Sequence, residues 1–382
     1  MDLKEARTQI DGIDQKLTEL FVERMQLAKE ISDYKKQNKL PVYDKTRERE
    51  VLNREEDRAG KEFESYIQVL YTTLFDVSRA YQRQMIGSHS PLKAKIEEAI
   101  ASTDKLFPTR AVVACQGVAG SYSEAACDTV FTTPSIMFFK HFGGVFQAVE
   151  QGLCNYGVLP IENSTAGSVN EVYDLMKKHK FHIVRSVKLR ISHHLLAKPG
   201  ATLAGVKEIY SKDIALEQCS EFLAGLKDVK LHVCENTAEA ARQVAESDRT
   251  DIAAIASPGC MELYGLTSLS DTIQNSDNNF TRFICISKNL EIYPGADKVS
   301  IMFSIPHKPG ALYNVISRFS ALGLNLTKLE SRPIPGRDFE FLFYFDLNGN
   351  VADEKVLNLL CQFDDEFGQF TYLGSYSEVA SA

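Results

Sequence analysis

Arg24 is a charged residue inside an apolar seam, and it is the first candidate for chemistry in this chain. Apolar residues recur along the first predicted helix at intervals of three and four: Leu3, Ala6, Ile10, Ile13, Leu17, Leu20, Leu27, Ile31 and Tyr34. This spacing is typical of a helical bundle or a coiled coil. Arg24 takes the seam position after Leu20, where a guanidinium is costly unless an anion meets it. The alternative is a polar residue that sets the helix register, or an arginine whose head group reaches the surface.

Two more basic residues, Lys35 and Arg7, are candidates for binding the same anion as Arg24. Lys35 follows Arg24 by almost three turns, about 16 Å along the axis, so the two side chains point the same way and can hold a small anion between them. Arg7 lies about 25 Å from Arg24, too far to serve the same ligand from one straight helix. If Arg7 serves that site, it comes from an antiparallel partner chain, which predicts a dimer with shared sites.

Polar residues at suitable spacing continue on two shorter predicted helices. Asp44 is a good N-cap for a helix that carries Arg47 and Glu48. A third helix, from about residue 63 to 85, makes Ser78 and Gln82 neighbours, four residues apart. Taken singly, each of these residues is more often part of a solvated face. Taken together on one small module, they favour an anion-binding site.

The middle of the chain alternates strands with helices and carries polar segments at predicted strand ends. A glycine-rich turn over 117–120 is followed by Ser123, and such a turn offers backbone N–H groups to an anion. A second segment delivers Glu162 and Asn163, for which a helix cap is an equal alternative. A third, over 278–283, carries Thr281 into an apolar strand and by itself reads as a loop.

The last part of the chain predicts a β-α-β-β-α-β order. Alternating apolar residues over 299–305 predict a strand, the turn 306–310 leads into a helix that ends at Gly323, and a strand follows. A turn containing Pro335-Gly336 precedes a strand that begins at Phe339, and a helix over 353–367 and a strand over 370–373 complete the pattern. This is the ferredoxin-like order.

The bulk composition excludes several classes of protein. A length of 382 residues predicts two or three domains, and a net charge of −8 argues against non-specific nucleic-acid binding. The eight cysteines form no C-x-x-C pair, which argues against a zinc site or a disulfide framework and for a reducing cytosol. The sequence predicts neither a secretion signal nor a membrane span.

Residues 1–86 resemble the all-helical class of chorismate mutase, a three-helix domain that dimerises by intertwining. The resemblance is carried by Glu23-Arg24, Lys35, the run 44–49, Ser78 and Gln82. It implies that Arg24, Arg47 and the partner subunit's Arg7 hold two substrate carboxylates. It also implies that Lys35 and Gln82 donate to the ether oxygen of the breaking bond, while Glu48 and the backbone of Asp44 hold the ring hydroxyl.

Residues 110–288 resemble the catalytic domain of prephenate dehydratase, in which two α/β subdomains enclose a central cleft. Its motifs occur in order: the turn 117–123, Pro160-Ile161-Glu162-Asn163, Gln218-Cys219-Ser220 and Thr281-Arg282-Phe283. The resemblance implies that Thr281 donates a proton to the departing ring hydroxyl. The residues implied to shape the site or bind substrate are Glu162, Asn163, Gln218, Ser123, Ser211 and Arg282.

Two features of this region leave questions open. Gly117-Val118-Ala119-Gly120 departs from the commoner glycine-proline-x-glycine turn of the family, which leaves the choice between prephenate and its aminated relative arogenate undecided. His193 and His194 precede a strand and could line the cleft, although a structural role is the commoner outcome for such histidines.

The C-terminal region resembles the ACT regulatory domain of phenylalanine-producing dehydratases, through Pro309-Gly310-Ala311-Leu312 and Glu330-Ser331-Arg332-Pro333. The resemblance implies that phenylalanine binds at a subunit interface and inhibits the enzyme. The residues implied to form that site are Gly310, Ala311, Leu312, Asn325, Glu330 and Ser331. A purely structural dimerisation module is the alternative.

The sequence therefore predicts a multidomain protein with an all-α chorismate mutase domain (1–88), a linker (89–108), an α/β dehydratase domain (109–289) and an α+β ACT domain (297–376). We expect conversion of chorismate to prephenate and then to phenylpyruvate, without cofactor or metal, in the cytoplasm. We expect a homodimer or homotetramer with no nucleic-acid or membrane partner. Two other classes stay open: an amino-acid sensor without catalysis, and an N-terminal region that only dimerises as a coiled coil.

Overall fold

The computed structural model describes residues 2–38, 40–86, 90–334 and 340–380. Within these ranges, no helix combines the length and the apolar character that a membrane span needs. The predicted domain limit at residue 88, the turn at Pro335-Gly336 and the strand start at Phe339 lie outside the described residues.

The helices and strands of the described residues are numbered in chain order. The helices are α1 (Leu3–Gln37), α2 (Lys45–Ala59), α3 (Glu64–Ile86), α4 (Leu92–Ser102), α5 (Tyr122–Val130), α6 (Phe142–Glu150), α7 (Asn170–Lys178), α8 (Asp213–Gln218), α9 (Ser220–Ala224), α10 (Thr237–Glu246), α11 (Gly259–Tyr264), α12 (Ala311–Ala321) and α13 (Glu354–Glu366). The strands are β1 (Val112–Gln116), β2 (Ser135–Phe139), β3 (Tyr156–Asn163), β4 (Gly167–Ser168), β5 (His182–Arg190), β6 (His194–Ala197), β7 (Glu208–Ser211), β8 (Lys230–Val233), β9 (Ile252–Ala256), β10 (Thr267–Ser270), β11 (Phe280–Ser287), β12 (Lys298–Ile305), β13 (Asn325–Pro333), β14 (Phe341–Asn348), β15 (Thr371–Tyr376) and β16 (Glu378–Ala380).

The N-terminal region is helical, as the apolar periodicity predicts. The Asp44 side chain accepts from the Arg47 N–H at 3.0 Å, which confirms it as the N-cap of α2. The buried residues of α1 are Ala28 and Ser32. Seam residues such as Leu17 (55% exposed) and Leu20 (61% exposed) are left open to solvent. The chain thus presents an apolar helix face that it does not cover with its own described residues.

The middle region forms two α/β lobes. The first lobe has the sheet order β16-β5-β11-β3-β1-β2, with β4 paired to β3, and it mixes parallel and antiparallel pairs. The second lobe has the order β10-β6-β9-β7-β8. The chain enters the second lobe after β5 and returns through the segment before β11. Both connections between the lobes therefore lie next to candidate site residues that were predicted from the sequence.

The C-terminal sheet has the order β13-β14-β12-β15, with antiparallel pairing throughout and α12 and α13 packed on it. Its element order is the predicted β-α-β-β-α-β. Phenylalanine rings, among them Phe303, Phe345 and Phe363, fill the space between sheet and helices.

The predicted linker contains helix α4, which is packed rather than extended. Leu92, Ile96 and Ala99 are buried with Val299, Phe303 and other residues of the C-terminal core. Their spacing of four and three residues places them on one face of the helix. The segment between the helical and α/β regions therefore adds a helix to the C-terminal unit.

Candidate active sites

Thr281 and Asn163 lie side by side where β11 begins and β3 ends. They are register partners in antiparallel strands, so their side chains share one face of the sheet. Asn163 Nδ2 donates to Thr281 Oγ1 at 2.9 Å and to Asn279 Oδ1 at 2.8 Å. The structure therefore brings together two segments that are more than a hundred residues apart in sequence.

Gln218 reaches this pair from the second lobe, at the end of α8. Its Nε2 donates to Thr165 Oγ1 at 2.8 Å, and its Oε1 accepts from Asn279 Nδ2 at 3.1 Å. A cleft of about 260 Å³ lies here, lined by Thr165, Gln218, Gln274, Asn279 and, as a carboxylate, Glu217. Hydroxyl and amide groups predominate, which suits a reaction assisted by hydrogen bonds to a leaving group.

Backbone groups of the glycine-rich turn before α5 form hydrogen bonds with other residues of the same chain. The Gly120 N–H donates to Glu124 Oε2 at 2.5 Å, and Tyr264 of the second lobe donates to the Ala119 carbonyl at 2.8 Å. Gly120 has φ +84°, and a Cβ there would lie 2.9 Å from Cys260 Sγ. The turn thus joins the two lobes closely, and Ser123 lies buried in the first turn of the helix that follows.

Ser211 does not fit the expectation that it binds substrate. It is fully buried on β7, and its hydroxyl donates to the Ile255 carbonyl at 2.7 Å. The side chain bonds to the neighbouring strand β9, so its hydroxyl is not available to a ligand in the cleft.

Glu162 and Arg282 are also corrected by the structure, because they face away from the cleft. They are register partners one residue along from Asn163 and Thr281, and successive side chains of a strand point to opposite faces. Arg282 is 9% exposed and donates to Asp346, to Tyr376 Oη at 2.8 Å and to Glu162 Oε1 at 3.3 Å. Arg282 therefore joins the sheet of the first lobe to the C-terminal sheet and is not a substrate ligand.

Glu162 takes part in the same interface through the edge strand β13. Its Oε2 lies 2.9 Å from Lys328 Nζ. Burial raises the pKa of this carboxyl, but the hydrogen bond and charge of Lys328 and the charge of Arg282 outweigh burial and hold the pKa below its usual range. Glu162 is thus a charged contact between the two sheets, rather than a group that touches a ligand of the cleft.

The helical region gathers part of the predicted anion site. Lys35 Nζ donates to the Val42 carbonyl at 2.6 Å, and its pKa is lowered by burial, although Asp44 and Glu48 nearby raise it. Arg24 Nη1 lies 3.4 Å from the Leu74 carbonyl, with its guanidinium over the Phe75 ring. A basic residue and two acidic residues from α1 and α2 therefore meet beside α3.

Other predicted residues of this region are placed differently. Ser78 and Gln82 are buried neighbours on α3, with Gln82 Nε2 at 3.4 Å from Ser78 Oγ and Gln82 Oε1 lacking a partner among the described residues. Arg47 is exposed and lies 3.4 Å from Glu50, and Arg7 is exposed on α1. The structure therefore does not bring Arg7 and Arg47 to the other predicted ligands within one chain.

Arg79 is a residue of this site that sequence reasoning missed. Its guanidinium donates to both carboxylate oxygens of Glu48 and to Asp76. The spacing of three residues between Asp76 and Arg79 was a readable signal for a helical ion pair. Arg83, one turn further on, binds Glu366 of α13, which also accepts from Arg318 at 2.6 Å. Ionic contacts thus connect the helical site to the C-terminal unit.

The predicted regulatory residues lie on two elements of the C-terminal unit. Gly310, with φ +79°, begins α12, where Ala311 is buried and Leu312 is half-buried. Asn325 and Ser331 are exposed on β13, the strand at the sheet edge. Glu330, also on β13, accepts from Ser168 Oγ of β4 at 2.5 Å. This edge strand therefore contacts the first lobe directly.

Family models match two separate parts of the chain. Residues 6–83 match chorismate mutase type II, and residues 113–291 match prephenate dehydratase. A bifunctional chorismate mutase/prephenate dehydratase from Aquifex aeolicus is 32% identical and covers 99% of this chain and 98% of its own length.

Two further relatives match a smaller share of the chain. Arogenate dehydratase/prephenate dehydratase 2 from Arabidopsis thaliana is 38% identical, over 78% of this chain and 81% of its own length. The structure of prephenate dehydratase from Arthrobacter aurescens, in complex with L-Phe, is 28% identical with a TM-score of 0.64. It covers 70% of this chain and 89% of that one.

Proposed function

Since the chain belongs to the family of bifunctional chorismate mutase/prephenate dehydratases, we propose an assignment of its residues to the two reactions. It converts chorismate to prephenate and prephenate to phenylpyruvate in phenylalanine biosynthesis. The proposed domain limits are 1–88 for the mutase, 109–289 for the dehydratase and 297–376 for an ACT domain. Helix α4, inside the predicted linker, packs on the ACT domain.

The mutase step needs neither a nucleophile nor a proton transfer, because it is a unimolecular rearrangement. Its rate depends on holding a reactive conformer and on stabilising charge at the ether oxygen. We assign the carboxylates to Arg24, Arg47 and the partner subunit's Arg7, and the ether oxygen to Lys35 and Gln82. The grouping of Lys35 with Asp44 and Glu48 supports this assignment, and Gln82 Nε2 has two N–H donors, of which the 3.4 Å contact with Ser78 Oγ uses one.

The exposed seam of α1 supports a dimer. A helix whose apolar residues stay open to solvent has a strong tendency to associate, and an antiparallel copy would bring the partner subunit's Arg7 towards Arg24. We therefore propose a homodimer or homotetramer in which mutase sites are shared. A reducing, cytoplasmic setting agrees with eight cysteines that are all free thiols.

The dehydratase step removes carbon dioxide and hydroxide from prephenate and leaves an aromatic ring. The electrons of the bond to the departing carboxylate enter the ring, and the hydroxide takes a proton to leave as water. The observation that carries our assignment is that Thr281 Oγ1 accepts from Asn163 Nδ2 at 2.9 Å. The proton of Thr281 is then left to donate to the leaving hydroxyl, while Gln218 binds from the other lobe.

Feedback inhibition by phenylalanine is assigned to the C-terminal unit. The proposed ligand site comprises Gly310, Ala311 and Leu312 at the start of α12 and Asn325, Glu330 and Ser331 on β13, at an interface between two copies of the chain. Contacts from Lys328 and Glu330 to Glu162 and Ser168 give β13 a direct connection to the dehydratase strands. A ligand that favours one position of β13 would therefore shift the population of cleft conformations.

The assignment is tested by adding chorismate and following prephenate and phenylpyruvate, with and without phenylalanine. We expect Arg24→Ala to stop prephenate formation but to turn over added prephenate normally. Thr281→Ala should accumulate prephenate, and Thr281→Ser, which keeps the hydroxyl, should retain much of the second activity. If Arg24→Ala lost both activities while folded, separate sites would be excluded.

Arogenate is a second candidate substrate for the cleft. The 38% identical relative carries both arogenate and prephenate dehydratase in its name, and the turn Gly117-Val118-Ala119-Gly120 departs from the usual family pattern. Supplying the two compounds separately, at equal concentration, decides between them through the ratio of kcat/KM.

A further inference from the structure

His193 lies at the crossing from the first lobe to the second, immediately before β6. It is 3% exposed. Its backbone N–H donates to Gln274 Oε1 at 2.9 Å, its carbonyl accepts from the Ile273 N–H at 2.9 Å, and the ring edge packs against Tyr122. The imidazole is therefore held in one place, and its Nε2 lies 2.9 Å from Gln218 Oε1.

The hydrogen-bond partners of Gln218 decide which ring nitrogen of His193 carries the proton. Gln218 Nε2 donates to Thr165 Oγ1 at 2.8 Å, and Gln218 Oε1 accepts from Asn279 Nδ2 at 3.1 Å. If the Gln218 amide were inverted, its NH₂ group would face the NH₂ group of Asn279. Since the atom facing His193 is thus an oxygen, His193 Nε2 is the donor.

The same directionality continues to Thr281. Asn279 Oδ1 accepts from Asn163 Nδ2 at 2.8 Å, and the Thr165 hydroxyl donates to Asn163 Oδ1 at 2.7 Å. The backbone also fixes the orientation of Asn163: its Oδ1 accepts from the N–H groups of Thr165 and Ala166, and its Nδ2 donates to the Phe280 carbonyl as well as to Thr281 Oγ1. The orientations of Asn279 and Gln218 agree with this backbone-held amide.

We propose that His193 is a positioning residue of the dehydratase: its Nε2–H donates to Gln218 Oε1 and holds the Gln218 side chain in place at the cleft. The inference rests on the proposed role of Gln218 in binding the substrate and adds the residue that supports it from behind the cleft. If Nδ1 were protonated instead, two acceptors would face each other, and Gln218 would lose one of its hydrogen bonds.

The surroundings of the ring favour the neutral Nε2–H form. Burial lowers the pKa of His193, and the hydrogen bond with Gln218 opposes this effect while His194 adds to it. His193 Nδ1 is buried and has no partner within the described part of the chain. A second proton on the ring would lack an acceptor there.

The test compares two substitutions of similar shape. His193→Gln keeps an N–H near Gln218, whereas His193→Met has no donor. We expect His193→Met to lower kcat for prephenate by about tenfold or more, the size of effect typical of a buried acceptor left unpaired, with a smaller change in KM. His193→Gln should restore most of kcat. The same change at the neighbouring residue, His194→Met, should leave kcat near that of the parent, and mutase turnover reports whether each variant is folded.

Equal losses of kcat in His193→Gln and His193→Met, or no loss in His193→Met, would overturn the inference. A Gln218→Ala enzyme with unchanged kcat and KM would instead remove the proposed role of Gln218. In a Gln218→Ala background, His193→Met should have no further effect on the residual rate. If His193→Met does not fold, ¹⁵N spectra of the histidine side chains in the parent enzyme decide: an Nδ1–H form of His193 contradicts the proposal.

Discussion

Replacing Arg282 by methionine tests whether this residue stabilises the fold or binds the substrate. Its guanidinium is almost fully buried and contacts Asp346, which is 0% exposed, together with Tyr376 and Glu162. The methionine side chain occupies similar space but leaves the Asp346 carboxylate without its cation. The Ser300 hydroxyl still donates to that carboxylate, but it carries no charge to balance it.

The expected cost follows from the one-sided loss of a buried ion pair. Removing one partner of such a pair costs about 3–5 kcal/mol, because an uncompensated charge stays buried. That amounts to roughly two to four powers of ten in the unfolding equilibrium. Combining Arg282→Met with Asp346→Asn should recover a large part of the loss, because a neutral amide can still accept from Ser300.

Urea unfolding followed by circular dichroism measures this loss, and the absence of tryptophan makes tyrosine fluorescence a second probe. Arg190→Met is the matched control: Arg190 lies on the neighbouring strand β5, is 55% exposed and lies 3.4 Å from Asp277. It should cost less than about 1 kcal/mol. The KM for prephenate should be unchanged in folded Arg282→Met. A large rise in KM without loss of stability would refute our placement of Arg282 outside the cleft.

The remaining predictions concern the shared mutase site and its contact with the C-terminal unit. Mixing inactive Arg7→Ala and Arg24→Ala chains should restore about a quarter of mutase activity, because half of randomly exchanged dimers are mixed and each mixed dimer has one intact site; no recovery would exclude sharing. Burial raises the pKa of Glu366, but Arg318 and then Arg83 hold it below the ordinary value of 4.5. The stability from these contacts is therefore complete above pH 4.5 and is lost as the pH falls through the lower folded value. The Tm of Glu366→Gln should vary less with pH between 6 and 3 than that of the parent, and parallel curves would contradict this.

Several features of the fold could be predicted because they depend on local pattern. The α1 seam has a regular spacing, Asp44 has the chemistry of an N-cap, and apolar residues alternate over 299–305 in the sequence of β12. The ordered motifs also named Asn163, Gln218 and Thr281, whose side chains are connected by hydrogen bonds through Asn279. The face of β11 on which Arg282 lies could not be predicted, because its partner Asp346 belongs to a different sheet.

The contacts between regions were beyond sequence reasoning for a similar reason. Arg83 and Glu366 are 283 residues apart, and nothing in either local pattern names the other. The helix α4 is a different case. The spacing of Leu92, Ile96 and Ala99 predicts a helix here, but it does not show against which unit that helix packs. Its burial depends on the C-terminal core that covers it.

Neighbouring residues of β3 and β11 lie on opposite faces: Asn163 and Thr281 lie on the side of Asn279, which lines the cleft, while Glu162 and Arg282 contact the C-terminal sheet. Because side chains alternate with a period of two, inserting or deleting one residue here would turn every side chain beyond that point to the other face. The arginine would then enter the cleft and the threonine hydroxyl would enter the ionic interface. The length of these two strand segments is therefore constrained more strictly than the identity of most residues around them.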